Sequence, residues 1–246
     1  MLGLTLWALG YPEQAVAASA KALADARGSG HVVAIGIALF WIAFLEAAFG
    51  ASPPHDPTHV DEATAHCAER LRMYEPWARC NQGILFSSRG DPQRSIEVME
   101  AAIATATEFN AELLRPIHLG HLAGAHARMG DPKVGLGLLD EALIAVENTQ
   151  ERMFEAELFR LRGELLMGMV KSSEAEAEFE RALTVARGQQ ARMWELRAAV
   201  SLARLRGNQG RQFEARGILT AVFGWFTEGF DTPDLNAAKA LLEELG

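Results

Sequence analysis

The feature that most constrains this chain is an internal repeat. Gly10, Gly50, Gly90, Gly130 and Gly210 stand at multiples of 40 residues from one another, and only Val170 breaks the series. A fixed period of this size implies stacked copies of one supersecondary unit. After most markers comes a polar or proline-containing turn, as in GYPEQA, GDPQRS, GDPKVG and GRQFEA. An amphipathic stretch of one type follows. It reads AVAASAKAL from Ala15, SIEVMEAAI from Ser95, GLGLLDEAL from Gly135, AEAEFERAL from Ala175 and ARGILTAVF from Ala215. Each opens on a small residue, carries a bulkier one four on (Ser19 is the exception), and usually has Ala and then a large apolar residue seven and eight on. That spacing lies on one helical face.

The segments before the markers are helical as well, for example HLGHLAGAHARMG. Seven residues ahead of each marker position sits a small side chain: Gly3, Ala43, Gly83, Ala123, Gly163 and Ala203. Small residues there let two helix backbones approach closely. The unit is therefore helix A, tight turn, helix B. One such pair cannot bury its apolar face, and stacking of neighbours supplies the missing contacts. The prediction is an all-α, right-handed α-solenoid of about six helix pairs plus a C-terminal capping helix. It forms a single domain over 1–246, with units at 1–30, 31–74, 75–110, 111–150, 151–190 and 191–228, and the last helix at 232–245. The insertion at 51–60 (ASPPHDPTHV) sets the second helix B to begin near Thr58, with a short connection around Glu75 and Pro76. Aligned on Gly10, Met1 falls inside helix A, and LGLTLWAL lacks the polar outer face of a solenoid cap. The chain therefore reads as a fragment, or a late start, of a longer protein. Its other end reads as a true end, with Thr232 as N-cap and Pro233 at the first helical position.

Composition excludes several classes. Lys plus Arg is 23 against Asp plus Glu 32, a net charge of -9, so a general nucleic-acid binder is not expected. Two cysteines cannot build a disulfide framework, which points to a reducing, cytoplasmic setting. MLGLTLWALG has neither a basic leader nor a small-residue cleavage site. Val32 to Leu45 is continuously apolar, but a membrane span needs about 20 such residues. Glu46 interrupts the run and the segment falls within the repeat, so it reads as a buried helix with no membrane role.

The pattern resembles the tetratricopeptide repeat. Leu122, Ala123, His126, Gly130, Asp131, Gly135, Leu139, Ala142 and Leu143 fall on that repeat's signature positions. The usual period is about 34 residues, so each helix pair here is longer. The second half, in ERMFEAELFRLRGELL (151–166), the stretch 174–205 and GWFTEGFDTPDLNAAKALLEEL (224–245), is similar to one bacterial group. These are the C-terminal helical repeats of multidomain regulators that carry a STAND-type ATPase with a class III nucleotide cyclase or a DNA-binding domain. The resemblance implies a noncatalytic, protein- or peptide-binding regulatory or scaffolding tail. Its partner would be a protein or peptide, in the first instance upstream domains of the same parent chain. The sequence has no G-x-x-x-x-G-K-[ST] phosphate loop, so any ATPase or cyclase activity would lie upstream, and no cofactor is implied.

The family's usual groove positions imply a polarised concave face. Its early part carries Leu4, Trp7, Ile37, Phe40, Phe44, Trp77 and Ile84; its late part carries Arg128, Glu157, Arg160, Glu164, Arg197, Arg204 and Asn208. Such a groove would take a peptide with an apolar anchor and an acidic group, since Arg forks a carboxylate. Buried inter-repeat core is the competing reading for the aromatics, and pairing along the helix for the charges. If the arginines are free, reversing Arg160 and Arg197 together would abolish binding with little loss of stability. A small-molecule sensor on the same face is the first alternative. A metal-dependent enzyme at the loop of His55, Asp56, His59 and Asp61, with His66 and Cys67 nearby, is the second. His118 and His121 have a two-ligand spacing but no third ligand at helical spacing; Glu112 is too far along. No metal site is assigned. The apolar first helix favours a homodimer through the N-terminal edge.

Overall fold

A computed structural model of the chain describes residues 1–50, 58–111 and 113–246. Among these residues the chain forms thirteen α-helices and no strand. Six pairs follow one another: α1 (Leu2–Ala8) with α2 (Pro12–Ser29), α3 (Val32–Phe49) with α4 (Thr58–Arg70), and α5 (Glu75–Ser88) with α6 (Pro92–Glu108). Then come α7 (Arg115–Arg128) with α8 (Pro132–Thr149), α9 (Glu155–Gly168) with α10 (Ser172–Gly188), and α11 (Arg192–Asn208) with α12 (Gln212–Phe223); α13 (Pro233–Glu244) follows. Each helix packs on the next, and each helix A touches the helix A of the following pair, the stacking of an α-solenoid.

The glycine markers end helix A by one mechanism. Gly10, Gly90, Gly130 and Gly210 have φ of 95°, 85°, 93° and 79°. The next residue's N–H donates to a carbonyl five residues back: Tyr11 to Leu6 at 2.9 Å, Asp91 to Phe86 at 2.9 Å, Asp131 to His126 at 3.0 Å, and Arg211 to Arg206 at 2.9 Å. This is the Schellman termination, whose left-handed residue is usually Gly. Val170 adopts the same conformation at φ 61°, and Lys171 N–H reaches Leu166 O at 3.0 Å. A β-branched side chain is strained there. Pro12, Pro92 and Pro132 then open the B helices at a first-turn position where no N–H is needed. The small residues ahead of the markers act as expected: a β-carbon at Gly83 or Gly163 would collide with Met99 or Phe179 of the paired helix.

Helix α3 is the core helix of the first half. Its 18 residues are long and apolar enough to cross a membrane, but 61% of that window is buried within the fold. Glu46 does not interrupt the helix. It is buried within it, and His59 Nδ1 of α4 lies 2.6 Å from its Oε1. At the other end, Thr232 does occupy the N-cap position of α13, yet makes no side-chain cap. Its hydroxyl donates instead to Gly229 O at 2.6 Å.

The solenoid closes on itself. Helix α1 packs against α11 as well as α2 and α3. Glu228, between α12 and α13, accepts the N–H groups of Glu13 and Gln14 at 3.0 and 3.2 Å and so caps the start of α2. Glu13 in return accepts the Gly229 N–H at 2.8 Å. Tyr11 meets Trp225 edge-on, with centroids 5.6 Å apart. Gly10 sits so close to this seam that a β-carbon there would lie 2.5 Å from the Trp225 ring. Leu4, Trp7 and Ala8, the apolar face expected to seek a second copy, are buried within the chain's own fold, Trp7 partly against Trp194 of the last unit. Met1 and Leu2 remain exposed.

Candidate functional site

Ring closure turns the early half of the expected groove into a hub. Trp7 stacks on Phe49 at 3.8 Å and meets Trp194 edge-on at 4.7 Å. Phe44 packs edge-on against Phe49 at 5.5 Å and Phe154 at 5.9 Å, and Phe154 against Trp194 at 6.0 Å. Phe40 packs against Tyr74 at 5.6 Å and Trp77 at 6.4 Å. Leu4, Trp7, Phe40, Phe44, Trp77 and Ile84 are all buried, and Ile37 is half-buried. The expectation of an apolar, open groove is therefore corrected at every one of these positions but Ile37: edge-to-face ring packing uses the aromatic faces, and the six buried residues are core.

The late half forms a charged cleft of about 320 Å³, lined by Arg160, Glu164, Arg197, Ser201, Arg204 and Asp234 among others. Of the late groove positions, Arg160, Glu164, Arg197 and Arg204 are brought together here. Glu157, 3% exposed, lies beneath them. Arg160 donates to both Glu157 oxygens at 2.8 Å and to Glu164 Oε1 at 3.1 Å. Arg197 forks Asp234 at 2.8 and 2.9 Å and reaches Glu157 at 3.2 Å. Its guanidinium also lies 5.1 Å from the Trp7 ring, which joins the cleft to the hub. Burial pushes Glu157 up, but the Arg160 and Arg197 cations outweigh it and hold its carboxyl below the usual range. Burial likewise opposes the charge on Arg160 and Arg197, and their carboxylates overcome it, so both are raised.

These two arginines are structural as well as electrostatic. Their joint reversal would leave Glu157 buried among like charges, so the expectation of unchanged stability is also corrected. Arg204 differs: it is exposed, and among the described residues no ion pair reaches it. Arg128 donates to Ser87 Oγ and has no carboxylate partner among the described residues; burial lowers its pKa. Asn208 is exposed at the end of α11. Sequence reasoning missed Ser201 and Asp234. Ser201 donates to Glu164 at 2.6 Å, and Asp234 belongs to α13, outside the repeat register.

Among the described residues, the remaining candidates do not converge on a metal-binding group. His55 and Asp56 lie outside the described residues, as does Glu112. His59 pairs with Glu46, His66 Nε2 lies 3.0 Å from Val32 O, and Asp61 accepts from Gln82 at 3.3 Å. Burial, with Glu75 adding, pushes the Cys67 thiol up to about 11, the reverse of an activated nucleophile. His118 and His121 are held neutral. Burial takes His118 down to about 3, with His121 adding. Burial takes His121 to about 4; Glu157 opposes this, while Arg197, Arg128 and Arg160 assist.

The architecture is that of a tetratricopeptide-like helical-repeat protein, and solved structures share it. The crystal structure of BtubC (BKLC) from P. vanneervenii superposes with a TM-score of 0.57 at 17% identity, covering 95% of this chain and 89% of that one. A Podosopora anserina protein of nearly identical TPR-like repeats, named for kinesin light chain, gives 0.50 at 19% identity over 75% of this chain and 91% of that one. At these identities the likeness is one of fold. No protein-family model matches the sequence. No curated protein matches it either.

Proposed function

We propose that this chain is a noncatalytic protein- or peptide-binding module, regulatory or scaffolding in role, that works in the cytoplasm as the C-terminal tail of a larger signalling protein. The observation that carries the reading is the charged cleft. Arg197 already holds a carboxylate in a bidentate fork, supplied by the chain's own Asp234. Arg204, at the rim of the same cleft, holds none. An acidic side chain or C-terminal carboxylate of a partner peptide engages Arg204 and competes with Asp234 for Arg197. Because the aromatic half is closed, recognition is confined to this end rather than spread along a groove.

The test is a titration with a labelled peptide carrying one apolar residue, two glutamates and a free C-terminus. Arg204→Glu weakens binding at least about tenfold, the loss of one charge-assisted pair, with Tm unmoved because the side chain is exposed. Equal affinities for the two proteins would sink the assignment. For the tail, the coding frame ahead of Met1 runs into a phosphate loop and a cyclase or DNA-binding domain; an in-frame stop there would refute it.

A further inference from the structure

A second cleft, of about 590 Å³, opens at the other end of the chain between α1, α2 and α3. Its lining includes Leu2, Ala22, Ala34, Ile37, Ala38 and Trp41. The repeat itself identifies what belongs in it. Helix α1 ends two residues before its marker, as α5, α7 and α9 do, but has 7 residues where each of those has 14. The difference is about two helical turns, or about 10 Å, and it is missing from the end that faces the cleft, where Met1 and Leu2 line the wall.

The counterparts of this wall in later units are covered. Ala22 is exposed, whereas Ala102, Ala142 and Ala182 are 2%, 0% and 0% exposed. Ala34, Ile37 and Ala38 are half-buried, whereas Leu114, Ile117 and His118, and again Phe154, Glu157 and Leu158, are buried. What covers such walls comes from register positions that precede Met1: Phe40 corresponds to the residue just before it and Phe154 to the seventh before it. Phe40 packs on Tyr74 and Trp77, which correspond to Ala34 and Ile37. Phe154 packs on Trp194, which corresponds to Ala34 again. A second copy of the chain cannot donate the equivalent turns, since its own Phe40 and Phe154 are 0% and 1% exposed.

We infer that the cleft is the seat of a two-turn amphipathic helical segment joined directly ahead of Met1 in a longer chain, continuous with α1. This rests on reading the chain as the tail of a larger protein. The register also fixes its chemistry. The seventh residue ahead of Met1 falls in the register of Ala34, Tyr74, Leu114, Phe154 and Trp194, four of which are large and all of which are apolar or aromatic. The segment thereby couples whatever precedes it to the closed ring, because α1 also carries Trp7 of the hub.

The experiment adds RMFEAELFR, the chain's own residues 152–160, ahead of Met1 of the 246-residue protein. The extended protein melts at least about 3 °C higher, a shift near 1 kcal/mol for a domain of this size, and amide exchange at Leu2 to Thr5 slows at least tenfold. A scrambled extension does neither. Ala22→Trp, which fills the floor of the cleft, leaves the original chain's Tm in place and cancels the gain in the extended one. An extension that does no more than its scrambled control, or a gain that survives Ala22→Trp, would overturn the inference. Either result is independent of the upstream coding frame, which tests the tail reading on its own.

Discussion

The two halves of the inner face are both packed, but by different physics. The hub around Trp7, Phe44, Phe49, Phe154 and Trp194 is apolar and gains from area removed from water. The cleft around Glu157, Arg160 and Arg197 holds charges out of water and depends on each having its partner. An apolar hub tolerates salt and pH and punishes lost volume. A charged cluster tolerates little loss of a partner and answers to protons. The difference also sets what each side can exchange: paired carboxylates can be traded for others, whereas a stacked indole has nothing to give up.

The sharpest way to break this comparison is Trp7→Ala. It opens a void in the hub and loosens the seam with α11, and should cost about 3–5 kcal/mol in chemical denaturation. The loss should be the same at low and high salt; a salt-dependent loss would mean that Arg197, stacked over Trp7, rather than the rings, holds the seam. Next comes Glu157→Gln, which leaves Arg160 and Arg197 short of their shared carboxylate. It should cost about 3 kcal/mol, and Glu164→Gln much less, since that side chain is partly exposed. Equal losses would show the cluster to be a surface network.

A smaller effect distinguishes the halves by acid. His118 and His121 are near 3 and 4 in the fold and near 6.5 when unfolded. Between those values the unfolded chain binds protons that the folded chain refuses. Their contribution is thus complete above about pH 6.5 and is lost as pH falls toward 4. Tm measured from pH 7 to 4.5 should fall, and His118→Gln should flatten the slope. An unchanged slope would place the acid sensitivity elsewhere. The smallest effect lies outside both halves: Val170→Gly relieves the left-handed strain at an exposed turn and should stabilise by about 1 kcal/mol. A loss of stability would show that the valine side chain makes a contact worth more than the strain.

Most of the repeat was legible because it is written in local chemistry. The glycine at each marker reports a left-handed residue, and the small residue seven ahead reports a close helix crossing. Even Val170, the one break in the series, was visible as a break; its backbone nonetheless follows the glycines, because the termination bond from Lys171 to Leu166 holds it there. The hub was not legible as a hub. Which inner-face residues meet across the ring depends on rotation accumulated over six units, and no single spacing records that sum. Trp7 and Trp194 are 187 positions apart in a pattern of 40. Asp234 was missed for a related reason: it sits on α13, which the repeat does not index, yet it completes the fork on Arg197.

The Glu228 contacts with the start of α2 have a consequence for how the molecule comes apart. In an open array each repeat leans only on its neighbours, so the terminal repeats fray first and unfolding runs inward like a zipper. Here the first and last repeats are each other's neighbours, so there is no loose tooth from which to begin. Opening the array means breaking that junction and losing its long-range contacts at once. Closing it means bringing together segments more than 200 residues apart, a slow search for a helical protein. Such a molecule should fold late at its seam and, once closed, unfold as a single cooperative body.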